Sequence, residues 1–261
     1  MHPTDSTGWK SPPNRSLERG VEILRAFRPG SALLGNGELA ERTGLSPATV
    51  SRLTQTLVGA GMLEHDRAAR AYRLAAPVLS LAHAMRTGSA VLQVAAPLMR
   101  TLAEKLRINV GLAVADRSEM LYLESIRYNR RASLRKVVSG QRVPMELTSL
   151  GHAYLAVAPE ARRAELLKEF EARRSDWPRL RKEIDKAMES VRRHGWCAAS
   201  WQPEIVALAT PLMLENERQH VLNVSVSSTE PAGEIAAELH APLLALARQI
   251  ATAFDEYPFA A

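Results

Sequence analysis

Only one cysteine, Cys197, occurs in the 261 residues. A lone thiol excludes an internal disulfide and any zinc site built on two or more thiolates. Aromatic residues make up 5% of the chain against 46% apolar residues, so its cores must be filled by Leu, Val, Ala and Ile. No apolar run is long enough to span a membrane as a helix. The opening MHPTDSTGWKSPPNR lacks the apolar core of a secretory signal, which leaves a cytoplasmic location as the expectation. The same residues hold three prolines and little to bury; residues 1–15 are expected to be a flexible tail. Patterns of the G-x-S-x-G, Walker A and H-E-x-x-H kinds are missing, and GNGELA departs from the dinucleotide fingerprint. The chain is therefore expected to be a non-enzyme without a cofactor or a metal. Cys197, beside His194 and Trp196, invites comparison with a thiol nucleophile, but its place just after Gly195 favours packing.

The chain is long enough for two domains, and no period of 20–50 residues marks it as a repeat protein. Its net charge of +6 leans toward polyanionic partners. In SLERGVEILRAF, Leu17, Val21, Ile23, Leu24 and Phe27 recur at helical spacing, with Ser16 placed to cap the start. A second helix is expected over NGELAERTG, with Asn36 as its cap and Gly44 just past its end. A third begins in GLSPATVSRL. There Ser46 is the natural cap, Pro47 sits where its missing N–H costs nothing, and Val50, Leu53, Leu57 and Val58 form the buried stripe. In GMLEHDRAARAYRLA, Leu63, Tyr72 and Leu74 flank a polar centre, Asp66 to Ala69, as in a two-stranded hairpin.

The spacing of Ala40, Gly44, Val50 and Leu53 fits a helix-turn-helix: a small residue at the crossing, a glycine in the turn, and apolar anchors on the second helix. Its outward face would then carry Ala48, Thr49, Ser51, Arg52 and Gln55, with Ser46 at the cap. Arginine can grip guanine or a phosphate, and glutamine can pair with adenine. Arg67 and Arg70, at the hairpin tip, would form a wing that touches the DNA backbone or minor groove. An ordinary pair of capped helices has similar features, and the charge of this segment, 10 basic against 7 acidic residues over 1–74, does not decide between the two.

APVLSLAHAMRTGSAVLQVAAPLMRTLAEKL reads as helical, interrupted near Gly88 and again at Pro97, with a domain boundary around Ala75 to Ser89. The stripe Val78, Leu81, Ala82 and Met85 is either a dimer surface or plain core. Beyond Asn109 the pattern changes. NVGLAVA, MLYLESI, ASLRKVV, IVALATPLML and HVLNVSVSS read as strands. LTSLGHAYLAVA, PEARRAELLKEF, WPRLRKEIDKAMESVRRHG and a segment from about Pro231 to Phe254 read as helices. Without regular βαβ alternation, this is an α+β domain on a largely antiparallel sheet. In NVSVSS, Ser225 and Ser227 share one face and Val224 and Val226 the other. Two hydroxyls on an inner face suit a carboxylate; on an edge strand they would be merely solvated. RYNRRASLRKVVSGQR holds Arg127, Arg130, Arg131, Arg135, Lys136 and Arg142 and no acid. It is either a solvated face or, through Arg131 or Arg135, an attractor of anions.

SLERGVEILRAF, ELAERTGLSPATVSRLTQTLVGAGML and YRLAAPVLSLA resemble the N-terminal half of the isocitrate lyase regulator (IclR) family of bacterial transcription factors. VSGQRVPMELTSLGHAYLA, VRRHGW and ATPLMLENERQHVLNVSVSS resemble its C-terminal half. The likeness covers roughly residues 16–256, in the family's order. It implies a winged helix-turn-helix (16–75), a connecting helix (76–90) and a GAF-like/profilin-like α+β sensor domain (91–261). The implied partners are double-stranded operator DNA, bound by a homodimer or homotetramer that represses or activates transcription, and a small effector, a carboxylate. The alternative from another class is a sensor whose winged helix contacts protein. By the same likeness, Ser225 and Ser227 hold the effector's acidic group, and Leu134, Ser149, Leu150, Ile205 and Ala207 line its apolar wall. The chain departs from the family pattern at His152, where a lysine is usual and where a partly exposed helix residue is expected. It departs again in CAASWQPEIVALA, where Trp201 is either a lid aromatic or a packing residue.

Overall fold

The computed structural model describes residues 14–128, 138–200, 204–215, 217–228 and 230–258. The chain divides into two compact units between Met85 and Arg86. The first comprises helix α1 (Arg15–Ala26), strand β1 (Leu34–Gly35), helices α2 (Asn36–Thr43) and α3 (Pro47–Gly59), and strands β2 (Leu63–Asp66) and β3 (Ala71–Leu74).

The helices of this unit start where side chains satisfy their orphan backbone groups, and α2 and α3 stop at left-handed glycines, Gly44 and Gly61. The cap of α1 is Asn14, not Ser16. Its Oδ1 accepts from the N–H groups of Ser16 and Leu17 at 3.0 and 3.1 Å, so Ser16 already lies inside the helix and is a recipient of the cap. Likewise the cap position of α2 is Gly35 rather than Asn36. Gly35 is held in β1, opposite Ala71 of β3, and its N–H donates to the Glu38 carboxylate at 2.9 Å. Strand β1 is two residues long, too short to leave a periodic trace in the sequence. Ile23, Leu34, Leu39, Val50, Leu53 and Leu63 converge in one core, each such burial contributing about 1.5–3 kcal/mol. Leu57 and Val58 are only half-buried, and Thr54 occupies the interior position on α3. Its hydroxyl is satisfied by donation toward the Val50 and Ser51 carbonyls, at 2.9 and 3.0 Å. Leu17 and Val21 of the expected α1 stripe are exposed.

Helix α4 (Pro77–Thr87) carries the chain across the boundary, and none of its residues is buried. Leu81 and Met85 are 61% and 52% exposed, so the stripe Val78, Leu81, Ala82, Met85 is not plain core. Helix α5 (Ala90–Leu106) runs through Pro97 without a break, contrary to the interruption expected there. Pro97 and Gln93, whose carbonyl the proline leaves without its helical partner, are both exposed, and water can take that bond.

The rest of the second unit is strands β4 (Asn109–Asp116), β5 (Glu119–Ile126) and β6 (Arg142–Pro144), a 3₁₀ turn (Met145–Leu147), helices α6 (Ser149–Val157), α7 (Glu160–Arg173) and α8 (Trp177–His194), strands β7 (Cys197–Ala199), β8 (Ile205–Leu212) and β9 (His220–Ser227), and helix α9 (Ala232–Asp255). The expected strand over ASLRKVV falls mostly outside the described residues. The described strands form one antiparallel sheet in the order β6-β5-β4-β9-β8-β7. Side-chain alternation splits it into two faces. On one, Val110, Leu112, Leu208, Leu222 and Val224 pack with Leu239, Leu243 and Ile250 of α9 and Met99 of α5. On the other, Ala113, Ala209 and Val221 pack with Leu155, Phe170, Ile184 and Met188 of α6 to α8.

Helix α8 stops at Gly195, whose φ of 82° is a left-handed conformation that costs glycine nothing. Gly151 is required for a different reason: a Cβ there would overlap the Met145 backbone carbonyl. Gly151→Ala is therefore expected to push α6 off the preceding turn and to destabilise the protein by about 1–3 kcal/mol, read as a lower midpoint in chemical denaturation.

Candidate functional site

The turn between α2 and α3 is built on Gly44, with φ of 68° and its N–H bonded to the Ala40 carbonyl at 2.9 Å. Ser46 then caps α3, its Oγ accepting from the Thr49 N–H at 3.3 Å and pairing with Thr49 Oγ1 at 2.9 Å. Val50 and Leu53 fasten α3 from inside. Its other side presents Ser46, Ala48, Arg52 and Gln55 to solvent, with Thr49 and Ser51 half-buried among them. The hairpin β2–β3 closes over a turn at Arg67 to Arg70, both arginines exposed. Asp66 shapes that turn by accepting from the Ala69 N–H at 3.0 Å and from Arg73 at 2.7 Å. The Ala69 N–H, against some opposition from desolvation and with help from the Arg73 charge, holds its carboxyl below the usual range. All eight residues expected to meet DNA thus lie on the helix-turn-helix and wing of one unit.

In the second unit, Ser225 and Ser227 leave β9 on the face opposite Val224 and Val226, whose side chains join the α5–α9 core. Ser225 is half-buried and Ser227 exposed. Ser225 has Asn109 of β4 and Ala207 of β8 as cross-strand neighbours; Ser227 has Ile205. Ser149 and Leu150, both buried, form the first turn of α6. The Ser149 carbonyl accepts from Cys197 Sγ at 3.5 Å. Since Cys197 is in register with Ala209, and Ala209 with Asn223, the positive end of α6 sits against the sheet row next to that of Ser225. Leu134 and Trp201 lie outside the described residues, as do Arg130, Arg131, Arg135 and Lys136. Arg142 forms ion pairs with Asp116 and, at 3.8 Å, with Glu119.

Sequence reasoning missed three polar residues on the serine face: Asn109, Tyr122 and Asn223. Asn223 shares the parity of Ser225 and Ser227 within one strand, so the same alternation could have found it. It is 4% exposed, and its side-chain amide faces the Tyr122 hydroxyl. Burial pushes that hydroxyl up to about 12. Gly111, between them, leaves the room: a Cβ there would come within 2.5 Å of both Asn223 Oδ1 and the Tyr122 ring.

His152 is not the partly exposed residue expected. It is 4% exposed, and its Nε2 lies 2.9 Å from the Glu146 carbonyl. Burial holds its pKa below the ordinary imidazole value. The reason is the tight approach of α6 to the 3₁₀ turn at Gly151, which draws the next side chain inside. Glu146, itself buried, is neutralised by Arg173 at 2.8 Å. Among the described residues no helix is long and apolar enough to cross a membrane, and no cluster of His, Cys, Asp and Glu has metal-holding geometry.

The IclR helix-turn-helix domain matches residues 16–67, and the C-terminal domain of the bacterial transcriptional regulator IclR matches residues 83–252. The chain belongs to the IclR family of bacterial transcriptional regulators. Among similar proteins, the HTH-type transcriptional regulator TsaQ1/TsaQ2 of Comamonas testosteroni is 35% identical over 185 residues, which span 69% of this chain and 66% of that protein. The crystal structure of an IclR family transcriptional regulator from Brucella abortus is 32% identical, covers 96% of each chain and superposes with a TM-score of 0.82. An IclR homolog from Microbacterium hydrocarbonoxydans, crystallised with 4-hydroxybenzoate, shares the fold at 23% identity and a TM-score of 0.71, covering 93% of this chain and all of that one.

Within this IclR-family fold, Cys197 is a core residue, 1% exposed, and burial pushes its thiol up to about 12. A thiolate is the nucleophile in any cysteine chemistry. Native protein is therefore expected to react with a thiol reagent only at its rate of unfolding, with one equivalent appearing promptly in denaturant; prompt labelling of the folded protein would contradict this placement.

Proposed function

We propose that this IclR-family regulator is a cytoplasmic, non-enzymatic switch that releases or engages operator DNA when a small organic acid binds its second unit. The observation that carries the DNA half is the division of α3 into two sides. Val50 and Leu53 anchor it, while Ser46, Ala48, Thr49, Ser51, Arg52 and Gln55 face outward beside the exposed arginines of the wing, Arg67 and Arg70. A helix so held can enter the major groove with its N-terminal residues at base edges while the wing contacts the backbone. Two protomers would place two such helices about 34 Å, or a multiple, apart on a pseudo-palindrome. The exposed side chains of α4, Leu79, Leu81 and Met85, supply an apolar surface for a homodimer, and two dimers can form a tetramer.

The effector half rests on the Ser225 and Ser227 hydroxyls on one face of β9, near the positive end of α6. Hydroxyl donors and a helix N-terminus both favour a carboxylate. Ala207 and Ile205 are the cross-strand neighbours of Ser225 and Ser227, Ser149 and Leu150 open α6, and these four would supply the apolar wall. Leu134, assigned to the same wall by the family likeness, lies outside the described residues. The related structure crystallised with 4-hydroxybenzoate supports an acid as the ligand class. Transmission requires that the acid favour one geometry of the protein over another. The link is short: Arg86, the first residue of the second unit and part of α4, donates to the Leu123 carbonyl at 2.8 Å and the Glu124 carboxylate at 2.6 Å of β5.

Arg52→Ala is expected to weaken operator binding by about 1–3 kcal/mol if the guanidinium reads a base. Gel-shift titration at fixed salt decides this, and unchanged affinity removes Arg52 from the interface. A salt titration of the wild type separates DNA from a protein partner, because phosphate contacts give a steep fall of log affinity with log salt. The double substitution Ser225→Ala with Ser227→Ala is expected to abolish the response to the acid and leave operator affinity within about twofold, well under the tenfold that corresponds to 1.4 kcal/mol. A normal response in the double variant would place the acid elsewhere.

A further inference from the structure

Asn223 is out of keeping with its surroundings. It stands at the centre of β9, between two small residues, Gly111 of β4 and Ala209 of β8, and is 4% exposed. Its Oδ1 has no hydrogen-bond partner, and neither does the buried Oδ1 of Asn109. Asn109 is the cross-strand neighbour of Ser225, so on this face it lies diagonal to Asn223. A buried amide oxygen without a partner is costly, and native proteins seldom leave one so. Leucine would fill the same volume without that cost. The space over Gly111 is what lets the amide lie flat toward Tyr122: a Cβ at that position would meet Asn223 Oδ1 and the phenol ring. Gly111, Asn223 and Tyr122 thus form one unit, and its unpartnered amide oxygen and that of Asn109 both lie on the face that carries Ser225.

We infer that Asn223, with Asn109, selects effectors that carry a hydrogen-bond donor, a hydroxyl above all, in addition to their carboxylate. This rests on the reading of Ser225 and Ser227 as the carboxylate end of the site and adds acceptors beside it: Asn109 across from Ser225, and Asn223 one step further along the same face of β9. The division of labour follows from chemistry. The serine hydroxyls and the N-terminal end of α6 offer donors, which a carboxylate needs. The two amide oxygens offer acceptors, which a carboxylate cannot use and which its charge would repel; they require a group that brings its own proton. A hydroxy acid supplies both, and an acid without a hydroxyl leaves the Asn223 oxygen as unpaired as before. Discrimination by an unpaired buried polar group exceeds discrimination by shape alone, because the wrong ligand carries the desolvation cost of the site as well as its own.

The test uses full-length protein and calorimetric titration with two matched pairs of acids, 4-hydroxybenzoate with benzoate and lactate with propionate, each pair differing by one hydroxyl. For the pair of the right size, the hydroxylated member is expected to bind about tenfold tighter or more. Asn223→Leu should reduce that ratio to near one while keeping the affinity for the plain acid. Ser225→Ala with Ser227→Ala should weaken both members in parallel and keep the ratio. Tyr122→Phe, which removes the group that orients the amide, serves as the second variant should Asn223→Leu fail to fold, and should also lower the ratio. Equal binding of both members by the wild type would mean that an ordered water satisfies the amide and would overturn the inference, as would a ratio that survives both substitutions. If neither member of either pair binds, the acid-effector reading falls and this inference with it. If plain acids bind and respond to the serine substitutions without any hydroxyl preference, only the inference falls.

Discussion

The second unit is organised by the alternation of side chains along β4, β8 and β9. A period of two places Leu112, Leu208, Leu222 and Val224 on the side of α5 and α9, where large aliphatic residues fill an apolar layer. The same period sends Gly111, Ala207, Ala209, Asn223 and Ser225 to the other side. A slip of one residue in any of these strands would exchange the two sets, burying serine and asparagine under α9 and forcing leucine into the layer of small residues beneath α6 to α8. The register is fixed by that penalty. Small residues in the middle of the sheet let the first turn of α6 come close to it, where the Ser149 carbonyl accepts from Cys197 Sγ.

In the first unit the corresponding constraint is the tight turn at Gly44. Its left-handed backbone, the Ser46 cap and Pro47 at the first helical position together fix where α3 starts. With the start fixed, the phase of the helix follows: Val50 and Leu53 point inward and Arg52 and Gln55 outward. A helix that began one residue later would turn its side chains by about 100° and offer a different surface to DNA. The Ser46–Thr49 hydroxyl pair shows the same economy, since a residue that caps the helix also belongs to the surface it presents.

Between the two, α4 has a different character. It packs no residue into either core and carries exposed leucine and methionine. Such a helix gains little from core burial and rests on its own propensity and on the bonds at its two ends, which suits an element that joins two units. Its last turn is fastened by Arg86 to β5 at Leu123 and Glu124, while at its start the Ala75 N–H bonds to the Met62 carbonyl at 3.0 Å.

Local signals in the sequence determined most of the elements. The Ser46-Pro47 start, the glycine stops at Gly44 and Gly195, the hairpin around Asp66 to Ala69 and the strand parity of Ser225 and Ser227 all depend on neighbours a few residues away, and such chemistry is legible in a linear string. What failed to be legible was set by distant partners. Asn14 took the cap of α1 through its own amide oxygen, Gly35 took that of α2 because it is held against β3, β1 existed only by that pairing, and α5 kept its course at Pro97 because the proline lies on its exposed side. His152 became interior through the contact of Gly151 with Met145. Asn109, Tyr122 and Asn223 come from three strands and meet only when the sheet forms. Their cluster was decided by tertiary structure alone, because register across strands brings residues together that no spacing along the chain connects.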